Sequence, residues 1–434
     1  MERLSLFPHN TEVNSRGHLV IGGCDCVNLV AEFGTPLYLF DESSLREKCR
    51  EFKTEFGSRY PETLVIYACK AYINRALAGV FKEEGLGLDV VSGGEIGIAA
   101  LADFPMDRLY FHGNNKAEEE LRLALERQVG RVVVDNFQEL RLLNGVALGL
   151  GERQDILLRL TPGIDPHTHR YIATGVIDSK FGFPMASAEE AVRQALALPG
   201  LNLVGLHFHV GSLIPDVEPY EKSIDIVLGF AAAMKRRHGF ELRELGVGGG
   251  YPVQYTLDSP VKPVADYAGA ISARVIKDSR ELGLDLPKLV VEPGRAIVGQ
   301  AGVALYQVGA VKDIPGVRRY VAVDGGMADN IRPAIYGSRY EALLANRAGE
   351  ANIETVTIAG KFCESGDILI RDIELPPVSP GDIVAIPDSG AYCLAMASNY
   401  NSSFKPPIVL LKEGKARLIR RRETLEDLVR CDLS

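Results

Sequence analysis

The run TLVIYACK, Thr63 to Lys70, decides how the chain is read. Its first six residues are apolar or β-branched and end on a small alanine, which suits a buried strand. A cysteine and a lysine follow at once. A lysine closing an apolar run is costly to bury as a cation, so its amine either snorkels to water or lies on an active face with its proton tuned.

Seven further runs share this construction: LGLDVV from Leu86, RLYFHG from Arg108, RVVVDN from Arg131, DILLRL from Asp155, LVGLHFH from Leu203, LRELGVGGG from Leu242 and KLVVEPG from Lys288. Between them lie segments such as INRALAGVFKEEG and AEEELRLALERQVG, with apolar residues at helical spacing and a glycine near the C-terminal end. Strand alternating with helix from Thr63 to Gly294 predicts an α/β fold, a parallel (β/α)8 barrel of the TIM type. Its chemistry is then expected where the strands end. At those ends stand Cys69 and Lys70, Asp89, His112, Asp135 and Asn136, His207 and His209, Gly248 to Gly250, and Glu292 with Arg295.

After Ala301 the pattern becomes strands without helices, VALYQVGAVKD, RRYVAVDGG, NIETVTIAG and DIVAIPDSG, which predicts an all-β domain. The strand-like RGHLVIGG in the first 35 residues is expected to complete that domain's sheet from the other end of the chain. The expected division is a barrel over 36–300 and a β-domain made of 1–35 and 301–434.

Composition narrows the function classes. With 46% hydrophobic and 24% charged residues over 434 positions, the chain is globular and long enough for more than one core. A net charge of −9 argues against a nucleic-acid partner. The N-terminal stretch lacks an apolar leader and no run is long enough to span a bilayer, so a cytoplasmic protein without a membrane partner is expected. Seven irregularly spaced cysteines fit reduced thiols, and the Cys24/Cys26 pair lacks the second cluster that a zinc site would need.

Three stretches carry chemistry. An amine such as that of Lys70, placed at a strand end, is suited to a Schiff base with an aldehyde. The turns HFHVGS and GVGGGYP after the sixth and seventh strands can bring backbone N–H groups to a phosphate, with Ser212 adding a hydroxyl and His209 a flat ring to stack on a cofactor. EPGR on the eighth strand offers Glu292 to a pyridine nitrogen and Arg295 as a fork for a carboxylate. Cys363 in FCESGD is open to several readings at this level: nucleophile, metal ligand, redox sensor or packing.

The ordered set YACKA, DVVSGGE, HGNNK, HFHVGS, GVGGGYP, EPGRAIVG, DGGMADNIRPAIYG, CESGD and SGAY resembles the pyridoxal-phosphate decarboxylases of the alanine-racemase-like barrel fold, most nearly their diaminopimelate branch. The resemblance runs from about Thr35 to LIRRRET at 418–424. It implies pyridoxal 5'-phosphate as cofactor, no metal, and conversion of meso-2,6-diaminopimelate to L-lysine and CO2 in lysine biosynthesis. It gives catalytic roles to Lys70 as Schiff base, His209 as ring partner and Cys363 as proton donor. It gives the cofactor Asp89, Ser212, Gly249, Gly250, Glu292, Gly294, Arg295 and Tyr392. It gives the substrate Arg295, Arg332, Tyr336, Glu364 and Tyr392. It also implies a homodimer in which the CES segment reaches the partner's site. Leu213, after HVGS, departs from the family pattern at a lid contact. Related decarboxylases acting on ornithine, lysine or arginine, a non-catalytic regulatory relative, and a racemase on the same barrel are the competing readings.

Overall fold

The structure is a computed structural model that describes residues 2–164 and 179–433. The chain divides into two compact units, one of Lys48–Pro252 with Val261–Gly294, the other of Met1–Glu47, Val253–Pro260 and Arg295–Ser434.

In the first unit each of the eight expected runs is a strand: Thr63–Ala68, Gly87–Val90, Leu109–Phe111, Arg131–Val134, Gln154–Thr161, Leu201–Phe208, Glu244–Gly246 and Lys288–Val291. Neighbours pair in parallel, and the eighth returns to the first with Leu289 opposite Thr63, so the sheet closes into a barrel. Ile66, Tyr110, Val133, Leu157, Val204 and Val290 fill the interior from six strands. Helices cover the outside and start where the sequence caps them. Asn74, Ser92 and Asn136 each accept the N–H of the residue three further on, which leaves Asn136 as a helix cap.

The two ends of the barrel differ. At the N-terminal end Glu244 accepts from Tyr110 Oη at 2.8 Å, Arg131 Nη2 at 2.7 Å and Lys288 Nζ at 3.0 Å, an ionic plug joining the starts of four strands. The opposite end carries the chemistry described below, the usual division of labour in this fold.

The second unit is built on a mixed sheet. The long strand Gly302–Ile314 lies between Arg318–Val323 and Leu37–Asp41, and the sheet continues outward to Glu354–Ala359 and Ile368–Leu375 on one side and to Ile408–Lys412 and Lys415–Arg420 on the other. RGHLVIGG enters this unit by a different route from the one expected. Leu19–Ile21 pairs within a separate three-stranded sheet, and Leu37–Asp41 is the N-terminal strand that joins the large sheet. The physical reason is the core: Leu19, Ile21, Cys24, Cys26 and Leu29 pack onto Leu37, Leu39, Val303 and Leu305, so the segment completes the apolar interior without needing the sheet's hydrogen bonds. Among the described residues no helix is long and apolar enough to cross a membrane.

Candidate active site

Five ionisable side chains form a continuous chain at the C-terminal end of the barrel, four of them buried and the fifth, Lys70, exposed. Lys70, in the single turn that follows the first strand, donates to Asp89 Oδ2 at 3.4 Å. Asp89 Oδ1 lies 3.8 Å from His112 Nε2, which lies 3.5 Å from Glu292 Oε1. The same carboxylate oxygen is 3.1 Å from His207 Nε2, and the two imidazoles meet edge to face with centroids 4.8 Å apart.

Burial sets the charges here. It pushes Glu292 up to about 7 and pulls His112 down to about 4 and His207 well below the ordinary histidine value. Burial also works to raise Asp89, but the positive partners around it, His112 and Lys70 first, hold it below its usual range. Because His112 is neutral at neutral pH, Lys70 is the partner that matters there.

His209, one residue beyond the sixth strand, is a half-buried neutral ring whose Nδ1 accepts the Gly249 N–H at 3.1 Å, so the ring proton is on Nε2. Around it the glycine turn is tightly fixed. Tyr220 Oη donates to the Gly249 carbonyl at 2.8 Å and the Ile214 N–H to the Gly250 carbonyl at 2.9 Å. A side chain at Gly249 would stand 2.3 Å from the Glu292 carbonyl, and Gly250 takes φ +111, so this path belongs to glycine. Gly294 likewise packs on Ala68, and Ser212 is half-buried beside Leu213, which adopts φ +56.

Asp89 Oδ1, His112 Nε2, His207 Nδ1 and Glu292 Oε1 are all buried without a hydrogen-bond partner among the described residues. Such atoms are costly unless something else satisfies them. An amine above a floor of unpartnered buried polar atoms, next to a turn only glycine can follow, fits pyridoxal 5'-phosphate. Lys70 would take its aldehyde, His209 its ring face, Glu292 its pyridine nitrogen and the glycine turn its phosphate. His112, His207 and Glu292 also carry ligand atoms within 4.8 Å of one another, near enough for a metal ion. The positive charges of Lys70 and Arg159 bear on the same carboxylate and oppose a dication there.

Arg159 went unnoticed in the sequence. It lies inside the apolar run DILLRL, buried, with its guanidinium 4.4 Å over the Phe181 ring, and the signal that could have found it is the one that singled out Lys70: a cation within a strand that is otherwise apolar.

The second unit gathers a different set. Arg295 donates to Tyr255 Oη at 2.6 Å and lies 4.5 Å over the Tyr392 ring. Arg332 donates to Tyr340 Oη and lies 4.6 Å over the Tyr255 ring. Both arginines are buried. Asp388 is their nearby acid, with both carboxylate oxygens buried and unpartnered among the described residues. Burial drives its carboxyl well above the ordinary range despite the pull of Arg332 and Arg295. A neutral Asp388 leaves two guanidinium charges available for carboxylates. Tyr336 is half-buried at the end of the short helix that begins at Arg332. Tyr255, Tyr340 and Asp388 had no sequence signal, since each is an ordinary loop residue until the fold brings it to an arginine.

Cys363 and Glu364 belong to neither cluster. Both are exposed on a turn of the second unit, where the Cys363 N–H is held by Asn401 Oδ1 at 3.0 Å and Glu364 accepts from the Gly366 N–H at 3.2 Å.

Residues 42–299 match the family described as pyridoxal-dependent decarboxylase, pyridoxal binding domain. Over 431 residues the chain is 46% identical to a diaminopimelate decarboxylase of Bacillus subtilis (strain 168), covering 99% of this chain and 98% of that protein. Among solved structures it is similar to a diaminopimelate decarboxylase from M. jannaschii in co-complex with L-lysine, at TM-score 0.92 and 35% identity over 98% of both chains. It is also similar to one from Helicobacter pylori complexed with L-lysine, at TM-score 0.87 and 34% identity over 94% of this chain and 98% of that one.

Proposed function

The chain belongs to the diaminopimelate decarboxylase family of pyridoxal-dependent decarboxylases, and from that premise we propose that it converts meso-2,6-diaminopimelate to L-lysine and CO2. The observation that carries the substrate is the pair of buried guanidiniums, Arg295 and Arg332, beside an acid that burial keeps neutral. Ornithine, lysine and arginine have one carboxylate each and give a second arginine nothing to bind. Diaminopimelate has two.

Pyridoxal 5'-phosphate, when bound, supplies an electron sink for the pair left at Cα as CO2 departs. Lys70 is the residue that would hold its aldehyde, with Asp89 keeping the amine in place. His209 presents a neutral ring face, and Glu292 offers a carboxyl able to share a proton with the pyridine nitrogen. Ser212, Gly249, Gly250 and Gly294 supply the phosphate turn.

On the substrate side, Arg332 and Arg295 bind carboxylate in bidentate fashion, with Tyr336 and Tyr392 as further ligands. The Cys363 thiol gives its proton to Cα after the C–C bond has broken and recovers one from solvent. Glu364 receives the distal ammonium. Both stand on an exposed turn, which supports their service in the site of a second copy of the chain and makes a homodimer the working unit. Seven free cysteines support a cytoplasmic location.

With pyridoxal 5'-phosphate and meso-diaminopimelate, the purified protein should yield L-lysine and CO2 in equal amounts. Stereoisomers of diaminopimelate formed without CO2 would instead identify a racemase.

A further inference from the structure

Two functional segments of the second unit, the turn carrying Cys363 and the loop leading to Arg332, converge on one buried carboxylate. Asp367 Oδ1 accepts the Met327 N–H at 2.7 Å from DGGMADN, and Oδ2 accepts the Phe362 N–H at 2.9 Å from the residue before Cys363. The Lys361 N–H adds a bond to the Gly325 carbonyl at 3.0 Å, and the Gly360 N–H one to the Asp367 carbonyl at 3.0 Å. From Gly326 the chain turns through Asn330, whose N–H returns to the Gly326 carbonyl at 2.9 Å, into the helix that opens with Arg332. Asp367 is 2% exposed, and a side-chain carbon at Gly360 would stand 2.1 Å from Oδ2, so the space is shaped around this carboxylate.

We propose that Asp367 is a positioning residue that sets the Cys363 turn and the Arg332 loop in register with each other, so that proton donation and distal-carboxylate binding depend on one clasp. The proposal rests on the reading of Cys363 as proton donor and Arg332 as carboxylate ligand. A carboxylate can accept from two converging N–H groups at once. Here the two N–H groups meet different oxygens, and an amide in the same place would turn its NH2 toward one of them. The acid is therefore required for the tie rather than for local polarity.

The test is a pair of double-mutant cycles on the holoenzyme with meso-diaminopimelate. D367N alone should lower kcat and raise KM, each by about tenfold. In a C363A background D367N should leave kcat where C363A put it, and in an R332Q background it should leave KM where R332Q put it. A residue that merely stabilises the fold would cost the same factor in every background, and that additivity overturns the proposal. If C363A leaves kcat unchanged and R332Q leaves KM unchanged, the parent assignment fails, visibly and before Asp367 is touched, and the clasp falls with it. Should D367N not fold, G360A, which pushes on Oδ2 from outside, replaces it in both cycles with the same expected pattern and the same overturning result.

Discussion

The Lys70 amine stands 3.4 Å from Asp89 Oδ2, joining the turn after the first barrel strand to the middle of the second. Asp89 is almost fully buried, so its negative charge persists because a cation is held against it. The pair keeps a lysine pointed at the barrel mouth. K70A should therefore abolish the visible absorbance that the wild type gains with pyridoxal 5'-phosphate, and D89N should weaken cofactor retention about tenfold while leaving the colour. Colour surviving in K70A would remove Lys70 from its assigned place.

Glu292 gives a pH signature of opposite sign to an ordinary carboxylate. Its folded value, about 7, lies above the unfolded one, so folded protein without cofactor binds a proton that the unfolded chain releases. The stability this contributes is present at low pH and is lost as pH rises toward and through 7. E292Q without cofactor should match the wild type in melting temperature near pH 5 and exceed it near pH 8, whereas a constant difference across that range would contradict a buried neutral carboxyl.

The exposed Cys363 turn predicts complementation. C363A should lower kcat by about 100-fold or more through loss of the proton donor, and E364A should act mainly on KM and substrate choice. K70A and C363A are each inactive by this account for different reasons. Mixing and reassociating the two proteins should restore up to about a quarter of the wild-type rate if the cysteine serves the partner's site. No recovery in dimers shown by mass to be mixed would place both residues in one subunit's site.

At the far end of the barrel Glu244 ties Tyr110, Arg131 and Lys288 together. E244A leaves these donors without their common acceptor and should cost about 3 kcal/mol of stability, measured by chemical denaturation, with kcat and KM near wild type in folded protein. A large loss of activity without loss of stability would mean that the two ends are not separate in function.

These contacts also explain how much of the molecule was readable from sequence. The barrel strands were legible because each is a short apolar run that ends in a polar residue, a local pattern with a local cause. Lys70, Asp89, His209 and Glu292 were legible for the same reason. Tyr255, Tyr340 and Asp388 were not. They gain meaning only against Arg295 and Arg332, through contacts between loop residues that no periodicity marks. Arg159 was hidden inside a run read for its apolar neighbours, and RGHLVIGG was read correctly as a strand but assigned to the wrong sheet, since alternation indicates a buried face without naming its hydrogen-bond partner.

The central claim is that the buried arginine pair selects a substrate with two carboxylates. Carbon dioxide release should be measured from meso-diaminopimelate, L-lysine and L-ornithine, each with wild type and R332Q. The expected result is a kcat/KM for diaminopimelate at least about 1,000 times that for the other two, falling about 50-fold in R332Q, with the weak activity on lysine unchanged. Comparable or faster release from lysine or ornithine, or a diaminopimelate rate indifferent to R332Q, would contradict it.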